Sequence, residues 1–286
     1  MDHDARTLVM GILNATPDSY WAQSRVSSIQ TAVEQARYWE SAGADWIDVG
    51  GESTGPDSED VSVEEELRRV IPVIEAVSRA VRIPVSIDTT KAAVARAAVV
   101  AGATMINDVS ALRGDAAMAD VAAASRASVI LMYAKDDTPR TTRRAVCYDD
   151  VVSTVCEFLQ GRIAHARSAG IADDRIWVDP GLGWFVGTDP RYSYEILAGL
   201  DRVRAAGFPV VVGPSRKSFL AHDGVHPPRP VSERLMPTAA AVAIAAWNGA
   251  AMVRVHDVPA MAQVVATVAA IKHPSRVDHP VGGYGV

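Results

Sequence analysis

An apolar segment that ends in two cations is the part of this chain with the clearest chemical potential. The sequence GFPVVVGPSRKSF occupies positions 207–219, and its three consecutive valines suit a buried strand. Gly213 and Pro214 end that strand, and Arg216 and Lys217 follow at its carboxyl end. Two cations at this place have two interpretations. They form a binding site for an anion or a polar ring system, or they belong to an ordinary solvated loop.

A second cationic pair, Arg254 and His256, lies on another apolar segment. Residues two apart on a strand point to the same face, whereas Val253 and Val255 point to the other. Two cationic groups that face the interior of a protein need a negative partner. That partner is either a phosphate group or a neighbouring aspartate in a salt bridge.

Three potential hydrogen-bond acceptors, Asp88, Asn107 and Asp179, follow three further apolar segments. A flat heterocycle with amino and ring N–H groups would satisfy them, and so would a metal ion. The chain contains no HxH or HExxH sequence, which disfavours a transition metal. Mg²⁺ bound to a phosphate and to an oxygen ligand such as Asn14 fits better.

The sequence shows no pairing of a nucleophile with a base of the Ser-His-Asp or Cys-His kind. We therefore do not favour covalent catalysis by the protein.

Short apolar segments recur along the chain, and each has polar residues at or just after its end. They are Leu8–Leu13, Trp46–Val49, Val85–Ile87, Met105–Ile106, Val129–Met132, Ile176–Val178, Val210–Val212 and Met252–Val255. Segments with helical periodicity lie between most of them, such as 29–41 and 63–81, the second opened by a capping box at Ser62 and Glu65. Eight strand–helix units predict a single-domain α/β protein, a (β/α)8 TIM barrel.

The alternative is a doubly wound open sheet, but its dinucleotide-binding fingerprint is missing, because the glycines at 181, 183 and 187 have the wrong spacing. Glycines also precede five predicted strands, where helices commonly end in the left-handed conformation. These glycines are Gly43, Gly102, Gly170, Gly207 and Gly249.

Two predicted connections, 133–149 and 221–237, are longer than a barrel needs. We expect both to lie above the carboxyl ends of the strands, either as lids or as tolerated surface insertions. Active sites of barrels lie at this end, so the polar residues at the ends of the strands are expected to share one pocket. They are Asn14, Asp48, Glu52, Thr54, Asp88, Asn107, Asp108, Asp179, Ser215, Arg216, Lys217, Arg254 and His256.

The net charge of −6 disfavours nucleic acid as a partner, and any anion site must therefore be local. The first residues lack the basic and apolar regions of a signal peptide, and the most uniform apolar run, 239–247, is too short to span a membrane. Two cysteines suggest neither a disulfide scaffold nor a thiolate metal site. We expect a cytoplasmic protein that has no membrane partner.

Seven segments of the chain together resemble the dihydropteroate synthase family, in the family's order. They are MGILNATPDSY at 10–20, DVGGEST at 48–54, PVSIDTTKA at 84–92, INDVSAL at 106–112, DPGLG at 179–183, GFPVVVGPSRKSF at 207–219 and RVHDV at 254–258. The resemblance implies a pterin-binding TIM barrel. It also implies a transferase of folate biosynthesis that joins 6-hydroxymethyl-7,8-dihydropterin pyrophosphate to p-aminobenzoate, giving 7,8-dihydropteroate and pyrophosphate.

The resemblance also assigns roles to individual residues. The pterin would be held by Asp88, Asn107, Asp179 and Lys217. The pyrophosphate would be held by Arg254, His256 and Asn14, the last through the expected cofactor Mg²⁺. The p-aminobenzoate would be bordered by Thr54, Pro56, Gly183, Trp184 and Ser218. The residues expected to act in catalysis are Asp88, Lys217, Arg254 and His256. Arg216 either joins this site or forms a structural ion pair.

Several positions depart from the family's usual pattern. Residues 20–25 read YWAQSR where the family usually has Phe-Ser-Asp-Gly-Gly, Gly55 replaces an arginine, Tyr133 replaces a histidine, and the segment at 179–188 is lengthened. We interpret most of these changes as lying in loops around the aminobenzoate side. They suggest the hypothesis of a sulfonamide-insensitive synthase, whose type the chain resembles near Trp184 and Phe185 and at Ser24 and Arg25.

Two alternatives remain at this point. One is a non-catalytic homologue that binds a pterin or regulates another protein. The other is the pterin-binding barrel of a methyltetrahydrofolate-dependent methyltransferase, which needs neither SRKSF nor RVHD. The resemblance further implies a homodimer, and we expect a short flexible tail from about residue 274.

Overall fold

The computed structural model describes residues 6–15, 28–138 and 140–276, which form a barrel of eight parallel strands. The strands are β1 Leu8–Asn14, β2 Trp46–Gly50, β3 Val85–Asp88, β4 Met105–Asp108, β5 Ser128–Met132, β6 Ile176–Asp179, β7 Val211–Val212 and β8 Met252–Val255. Their order is β6-β5-β4-β3-β2-β1-β8-β7. A parallel bridge between Val178 and Val210, supported by a 3.0 Å bond from Val178 N to Pro209 O, joins the two ends of the sheet. The predicted (β/α)8 barrel is therefore confirmed.

Helices connect the strands around the outside of the barrel. In the described residues they are α1 Ile29–Ser41, α2 Val63–Ala80, α3 Ala92–Ala101, α4 Met118–Ala124, α5 Val151–Ser168, α6 Pro190–Ala198, α7 Leu200–Arg204, α8 Leu235–Trp247 and α9 Val258–Lys272. None of these helices is long and apolar enough to cross a membrane.

Helix α2 shows how the local sequence sets an element. Ser62 Oγ accepts a 3.2 Å bond from Glu65 N, which satisfies one of the free amides at the helix start. The side chain of Glu65 instead bonds Arg68 and Arg69, so only half of the predicted capping box is formed by contacts that the structure describes. Val70, Ile74 and their neighbours form a buried stripe, which is the face that packs on the barrel.

The side chains of each strand alternate between two cores. Outward-facing residues such as Val9 and Ile87 pack against the helices in the main core. A smaller core inside the barrel is formed by Met10, Met105, Ile130, Val211 and Met252, with Leu8, Trp46 and Trp177 against it. Because these residues lie within the first three positions of their strands, the amino-terminal part of the barrel is a packed apolar plug.

The five glycines predicted at helix ends all have positive φ, between 83° at Gly207 and 119° at Gly102. Gly102 ends α3, and its N–H bonds Val99 O at 3.2 Å. This backbone conformation is costly for any residue with a Cβ, which explains why the sequence signal was correct.

The long connection at 133–149 crosses to the loop that follows β2. Arg140 is its main contact there, with a 2.9 Å bond to Ser58 Oγ. The second connection, 221–237, closes on itself through a 3.0 Å bond from Arg229 N to Ala221 O before α8 begins. Whether either connection moves as a lid stays a prediction. Of the predicted tail, residues 274–276 form a short 3-10 turn, and 277–286 lie outside the described residues, as do 20–25.

Candidate functional site

Polar side chains replace the apolar plug at the carboxyl ends of the strands. Except for Lys217, which lies in the loop after β7, each is two residues beyond an inward-facing residue of the same strand, so the alternation of the strand directs it into the barrel mouth. Asp88 is two residues beyond Ser86, for example, and Arg254 is two beyond Met252. We call this group the pocket floor; it consists of Asp48, Asp88, Asn107, Asp179, Lys217 and Arg254.

Arg254 connects the carboxylates of the pocket floor. Its Nε lies 2.6 Å from Asp48 Oδ2, and its Nη2 lies 2.6 Å from Asp88 Oδ2. Asp48 Oδ2 also accepts a 3.0 Å bond from Asn107 Nδ2. Because this amide nitrogen is engaged, the oxygen of Asn107 is the atom that can accept a hydrogen bond from a ligand.

Burial changes the proton affinity of three groups of the pocket floor. Burial raises the pKa of Asp88 to about 7, against the opposing effect of Arg254 and with a smaller contribution from Asp48. Burial also raises the pKa of Asp179, although Lys217 opposes that shift. Burial lowers the pKa of Lys217 to about 8, while Asp179 acts in the other direction. Near neutral pH the floor therefore keeps a charged ammonium beside carboxylates that are unusually easy to protonate.

Beside the floor, His256 is buried and is fixed from two sides by Ser215. Ser215 Oγ lies 2.9 Å from His256 Nδ1 and accepts a 3.1 Å bond from His256 N. Burial and the nearby cations Arg254, Arg216 and Lys217 lower the pKa of His256 to about 3. The imidazole is therefore neutral at physiological pH and contributes hydrogen bonds rather than charge.

Arg216 has a structural role instead of facing the pocket floor. Its guanidinium forms two 2.8 Å bonds with Asp257 and a third of 2.8 Å with Val231 O. The side chain is buried, so this forked pair joins the loop after β7 to the start of α9. Of the two interpretations open for Arg216, the structural ion pair is the one observed.

A second group of residues lies on the loops that follow the carboxyl ends of the strands. Thr141 joins two of these loops, because its N donates to Thr54 O at 3.1 Å and its Oγ1 donates to Trp184 O at 2.8 Å. Gly183 lies beside Ser218, since a Cβ at Gly183 would be 3.3 Å from Ser218 Oγ. We call this group the pocket rim; it consists of Thr54, Thr141, Gly183, Trp184 and Ser218.

A glycine is required at position 181, between Asp179 of the pocket floor and Gly183 of the pocket rim. Gly181 has φ +66°, and a Cβ there would lie 2.4 Å from the carbonyl oxygen of Tyr133. Its N–H donates to Asp179 Oδ1 at 2.7 Å. The DPGLG sequence thus turns sharply and leads into the 3-10 turn Gly183–Phe185.

Asn14 ends β1 at the same level as the pocket floor. A Cβ at the opposite residue, Gly50, would lie 3.9 Å from Asn14 Oδ1 and 3.8 Å from Asp88 Oδ2. The described residues contain no group of three or more His, Cys, Asp or Glu side chains that could hold a metal. An amide oxygen at the mouth is a suitable ligand for Mg²⁺, which usually takes few protein ligands and completes its shell with phosphate oxygens and water.

Comparison with known proteins is consistent with this geometry. The family model of the pterin binding enzymes matches residues 10–256. A dihydropteroate synthase of Escherichia coli strain K12 is 42% identical over 267 residues, which are 92% of each chain. The chain belongs to the dihydropteroate synthase family. The family's curated members thus match this chain across most of its length.

Two solved structures of the enzyme from Xanthomonas albilineans show the same fold. The structure with 4-aminobenzoic acid has a TM-score of 0.84 and 41% identity, and it covers 94% of each chain. The structure in complex with 7,8-dihydropteroate has a TM-score of 0.81 and 39% identity, and it covers 94% of this chain and 95% of that one.

The structure brings most of the predicted site residues of this family member together. The four residues predicted to hold the pterin all lie in the pocket floor. Four of the five residues predicted to border the aminobenzoate lie in the pocket rim, and Asn14 and His256 adjoin the floor. Pro56 is half-buried and lies in the same loop as Thr54. For Arg254, the structure shows the aspartate salt bridge that was the alternative to a phosphate contact.

Two predicted positions face away from the site. Asp108, one of the polar residues after the strands, is buried outside the pocket, where it accepts bonds from Ser110 N at 2.8 Å and Leu112 N at 2.7 Å. Tyr133, which replaces the family's usual histidine, directs its ring into the main core and its hydroxyl to Tyr148 at 3.0 Å. Strand alternation explains Tyr133, because Met132 before it has the opposite orientation.

Sequence reasoning missed the role of the connection at 133–149. Thr141 links two rim loops, and the guanidinium of Arg143 lies 5.6 Å from the ring centre of Trp184. The only signal for these contacts was the charged composition of the connection, which does not specify partners. Asp48 was among the polar residues noted, but no contact with Arg254 and Asn107 was predicted.

Proposed function

We propose that this chain joins 6-hydroxymethyl-7,8-dihydropterin pyrophosphate to p-aminobenzoate, releasing pyrophosphate and forming 7,8-dihydropteroate. The observation that carries the proposal is the pocket floor, where acceptors from four strands and two cations meet at the mouth of the barrel. Relatives that share over 90% of the chain's length are named for this reaction, and a similar structure holds its product.

The pterin ring is assigned to the pocket floor. Its amino and ring N–H groups are donors, and they match the carboxylates of Asp88 and Asp179 and the amide oxygen of Asn107. Lys217 is the donor for the acceptor atoms of the ring. Its ammonium lies 5.3 Å from the ring centre of Phe185, close to the boundary with the pocket rim.

The pyrophosphate is assigned to Arg254, His256 and Asn14. Arg254 bonds two aspartates through Nε and Nη2. A guanidinium has five N–H donors, so a phosphate oxygen can be bound beside these contacts or in exchange for one of them. The neutral His256 can donate one hydrogen bond without the cost of burying another charge. Mg²⁺ held through Asn14 would neutralise charge on the leaving group when it is bound.

The proposed reaction is a dissociative substitution at the carbon that links the pterin to the pyrophosphate. The carbon–oxygen bond breaks, and its electron pair leaves with pyrophosphate, whose developing charge faces Arg254 and His256. The amine of p-aminobenzoate then attacks the pterin cation, a carbon–nitrogen bond forms, and the amine releases one proton. No step requires a covalent bond to the protein.

The p-aminobenzoate is assigned to the pocket rim and Pro56. Trp184 and the neighbouring loops provide an apolar and polar border that is built differently from the family's usual loops. A rim of altered shape can exclude a drug that extends beyond the substrate, so sulfonamide insensitivity remains our proposal. The aminobenzoate KM and sulfonamide inhibition, measured together, would test it; ordinary nanomolar to micromolar inhibition would contradict it.

The two alternatives are less well supported. A non-catalytic pterin binder would not need Arg254 and His256 at the leaving-group position. A methyltetrahydrofolate-dependent methyltransferase would share the pterin acceptors, but the similar proteins described above are dihydropteroate synthases. Neither alternative is favoured.

We also propose a homodimer in the cytoplasm. Three apolar side chains of α8, Met236, Ile244 and Trp247, are exposed, and they share one side of the helix because eleven residues make about three turns. Ile271 of α9 is also exposed. Such a surface suits a second copy of the chain. Light scattering at micromolar concentration tests this, and a monomer mass would contradict it.

An assay of pyrophosphate release by the purified protein tests the function directly. We expect release that requires both the pterin pyrophosphate and p-aminobenzoate, and that is matched by dihydropteroate in equal amount. No release in the presence of p-aminobenzoate would favour the non-catalytic alternative.

A further inference from the structure

Glu52, in the loop after β2, is a point where three loops meet. Its Oε1 accepts a 2.7 Å bond from Arg140 Nη2 and a 3.3 Å bond from Val61 N. Its Oε2 accepts a bond from Lys91 Nζ, at the start of α3. One carboxylate thus holds its own loop closed and ties it to the loops after β3 and β5.

The lower end of this arrangement is anchored inside the protein. Lys91 Nζ also lies 2.6 Å from Glu66 Oε2, and Glu66 of α2 is buried. A Cβ at Gly51 would lie 3.0 Å from Glu66 Cγ, so the loop after β2 rests directly on this side chain. The two carboxylates share Lys91, so the side chain of Glu52 is held at a fixed position relative to α2.

The upper end of the arrangement reaches the pocket rim. Besides Glu52, Arg140 bonds Ser58 Oγ at 2.9 Å, Glu59 O at 2.7 Å and Asp60 Oδ1 at 2.5 Å. The next residue, Thr141, is the one that joins Thr54 to Trp184. The position of Arg140 therefore sets the position of a rim residue.

We infer that Glu52 is a positioning residue for the aminobenzoate site: through Lys91 and Arg140 it holds the rim loops in the geometry that receives the second substrate. The inference rests on the proposed function, which assigns the rim to p-aminobenzoate. Glu52 is not a catalytic residue, because its carboxylate is already engaged by its three partners. A rim that is ordered before binding loses less conformational entropy when the substrate arrives.

The exposure of the partners provides a matched control. The side chain of Glu52 is 15% exposed and that of Arg140 is 22% exposed, so solvent screens their contact only partly. Asp60 bonds the same guanidinium, but its side chain is 95% exposed. An exposed pair of this kind contributes little to order. Glu52→Gln and Asp60→Asn therefore both remove one negative partner of Arg140, and only the first also removes the ion pair with Lys91.

The test compares these two variants with the unchanged chain by hydrogen–deuterium exchange and by steady-state kinetics. In Glu52→Gln we expect exchange in 53–60 and 140–142 to become about tenfold faster or more. We expect the KM for p-aminobenzoate to rise about tenfold, which corresponds to about 1.4 kcal/mol, while the KM for the pterin pyrophosphate stays within about twofold. Asp60→Asn should match the unchanged chain in all three measurements.

Unchanged exchange in Glu52→Gln, or faster exchange without a rise in the aminobenzoate KM, would overturn the inference. A parallel loss for both substrates would also overturn it, because it would indicate general destabilisation. Should Glu52→Gln not fold, Arg140→Gln leaves the contacts of Lys91 with Glu52 and Glu66 intact and carries the same expectations. If the unchanged chain releases no pyrophosphate, the proposed function fails, and the exchange experiment still decides whether Glu52 orders the loops.

Discussion

The pocket floor and the pocket rim are built in different ways, although they border one pocket. Floor residues lie mainly on strands, and the two-residue alternation of each strand directs them inward. Rim residues lie on loops, and backbone carbonyls, hydroxyls and a few charged side chains join those loops. The floor therefore depends on the register of the barrel, whereas the rim depends on contacts between distant segments.

This difference has a functional consequence. Moving a floor carboxylate would require a change in the barrel, so the chemistry of the floor is tied to the fold. The rim can change through substitutions in loops, which tolerate variation more readily than strands. The departures of this chain from its family, at Gly55 and around Trp184, fall on the rim side.

The comparison predicts the largest loss of activity for a change in the floor. Asp88→Asn removes a carboxylate that we assign to the pterin and that bonds Arg254 at 2.6 Å. We expect kcat/KM for the pterin pyrophosphate to fall by about 10³-fold or more, because a buried polar site rejects a mismatched partner strongly. Exposed Asp120 of α4 supplies the control variant, Asp120→Asn, which should keep full activity. A loss below tenfold would remove Asp88 from the pterin site.

Asp257→Asn tests an ion pair that supports the loop after β7 but does not belong to the pocket floor. It leaves the buried guanidinium of Arg216 without its two 2.8 Å bonds to a carboxylate. Breaking a buried pair typically costs about 3 kcal/mol, which we expect as a lower free energy of unfolding in urea. Asp173→Asn, in an exposed pair with Arg167, serves as control and should leave the urea midpoint nearly unchanged. Equal effects for both variants would contradict a structural role of Arg216.

The pH dependence should also differ between floor and rim. Burial raises the pKa of Asp88 to about 7, so the carboxylate takes up a proton as the pH falls below that value and loses one acceptor site. We expect kcat/KM for the pterin pyrophosphate to fall with decreasing pH, approaching about tenfold per unit well below pH 7. The KM for p-aminobenzoate should change much less. A pterin profile that is flat from pH 5 to 8 would show that Asp88 does not bind as a carboxylate.

A change in the rim should have the smallest effect and should be confined to one substrate. Trp184→Ala removes a half-buried ring from the rim. We expect the KM for p-aminobenzoate to rise about fivefold to tenfold, the scale of losing part of an apolar contact, while pterin binding is unchanged. Tyr38→Ala, which removes an exposed aromatic side chain of α1, is a suitable control. An equal rise in the pterin KM would remove the distinction between floor and rim.

The sequence predicted the floor better than the rim for a physical reason. The pattern of strands brought Asp88, Asn107, Asp179 and Arg254 to one end of the barrel, because the carboxyl ends of parallel strands meet there. The ends of the strands were predicted less well. The apolar residues Met105 and Ile106 indicated β4, but its pairing with the neighbouring strands continues through Asn107 and Asp108. The sequence did not decide the partner of Arg254, because a phosphate and an aspartate both satisfy a guanidinium.

The rim could not be predicted in the same way. Arg140 and Glu52 are 88 positions apart, and no periodic pattern connects two loops. Loop contacts depend on the path of each backbone, which the sequence does not reveal through strand or helix periodicity. The resemblance to the family placed Thr54, Gly183, Trp184 and Ser218 near one another, but Thr141, which joins two of them, was outside its motifs.

Complementation of a cell that lacks its own dihydropteroate synthase tests the central claim most directly. We predict that the unchanged chain restores growth in medium without the end products of folate metabolism, that Asp120→Asn does so equally, and that Asp88→Asn does not. Failure of the unchanged chain, when it accumulates as folded protein, would contradict the claim, and so would growth supported by Asp88→Asn.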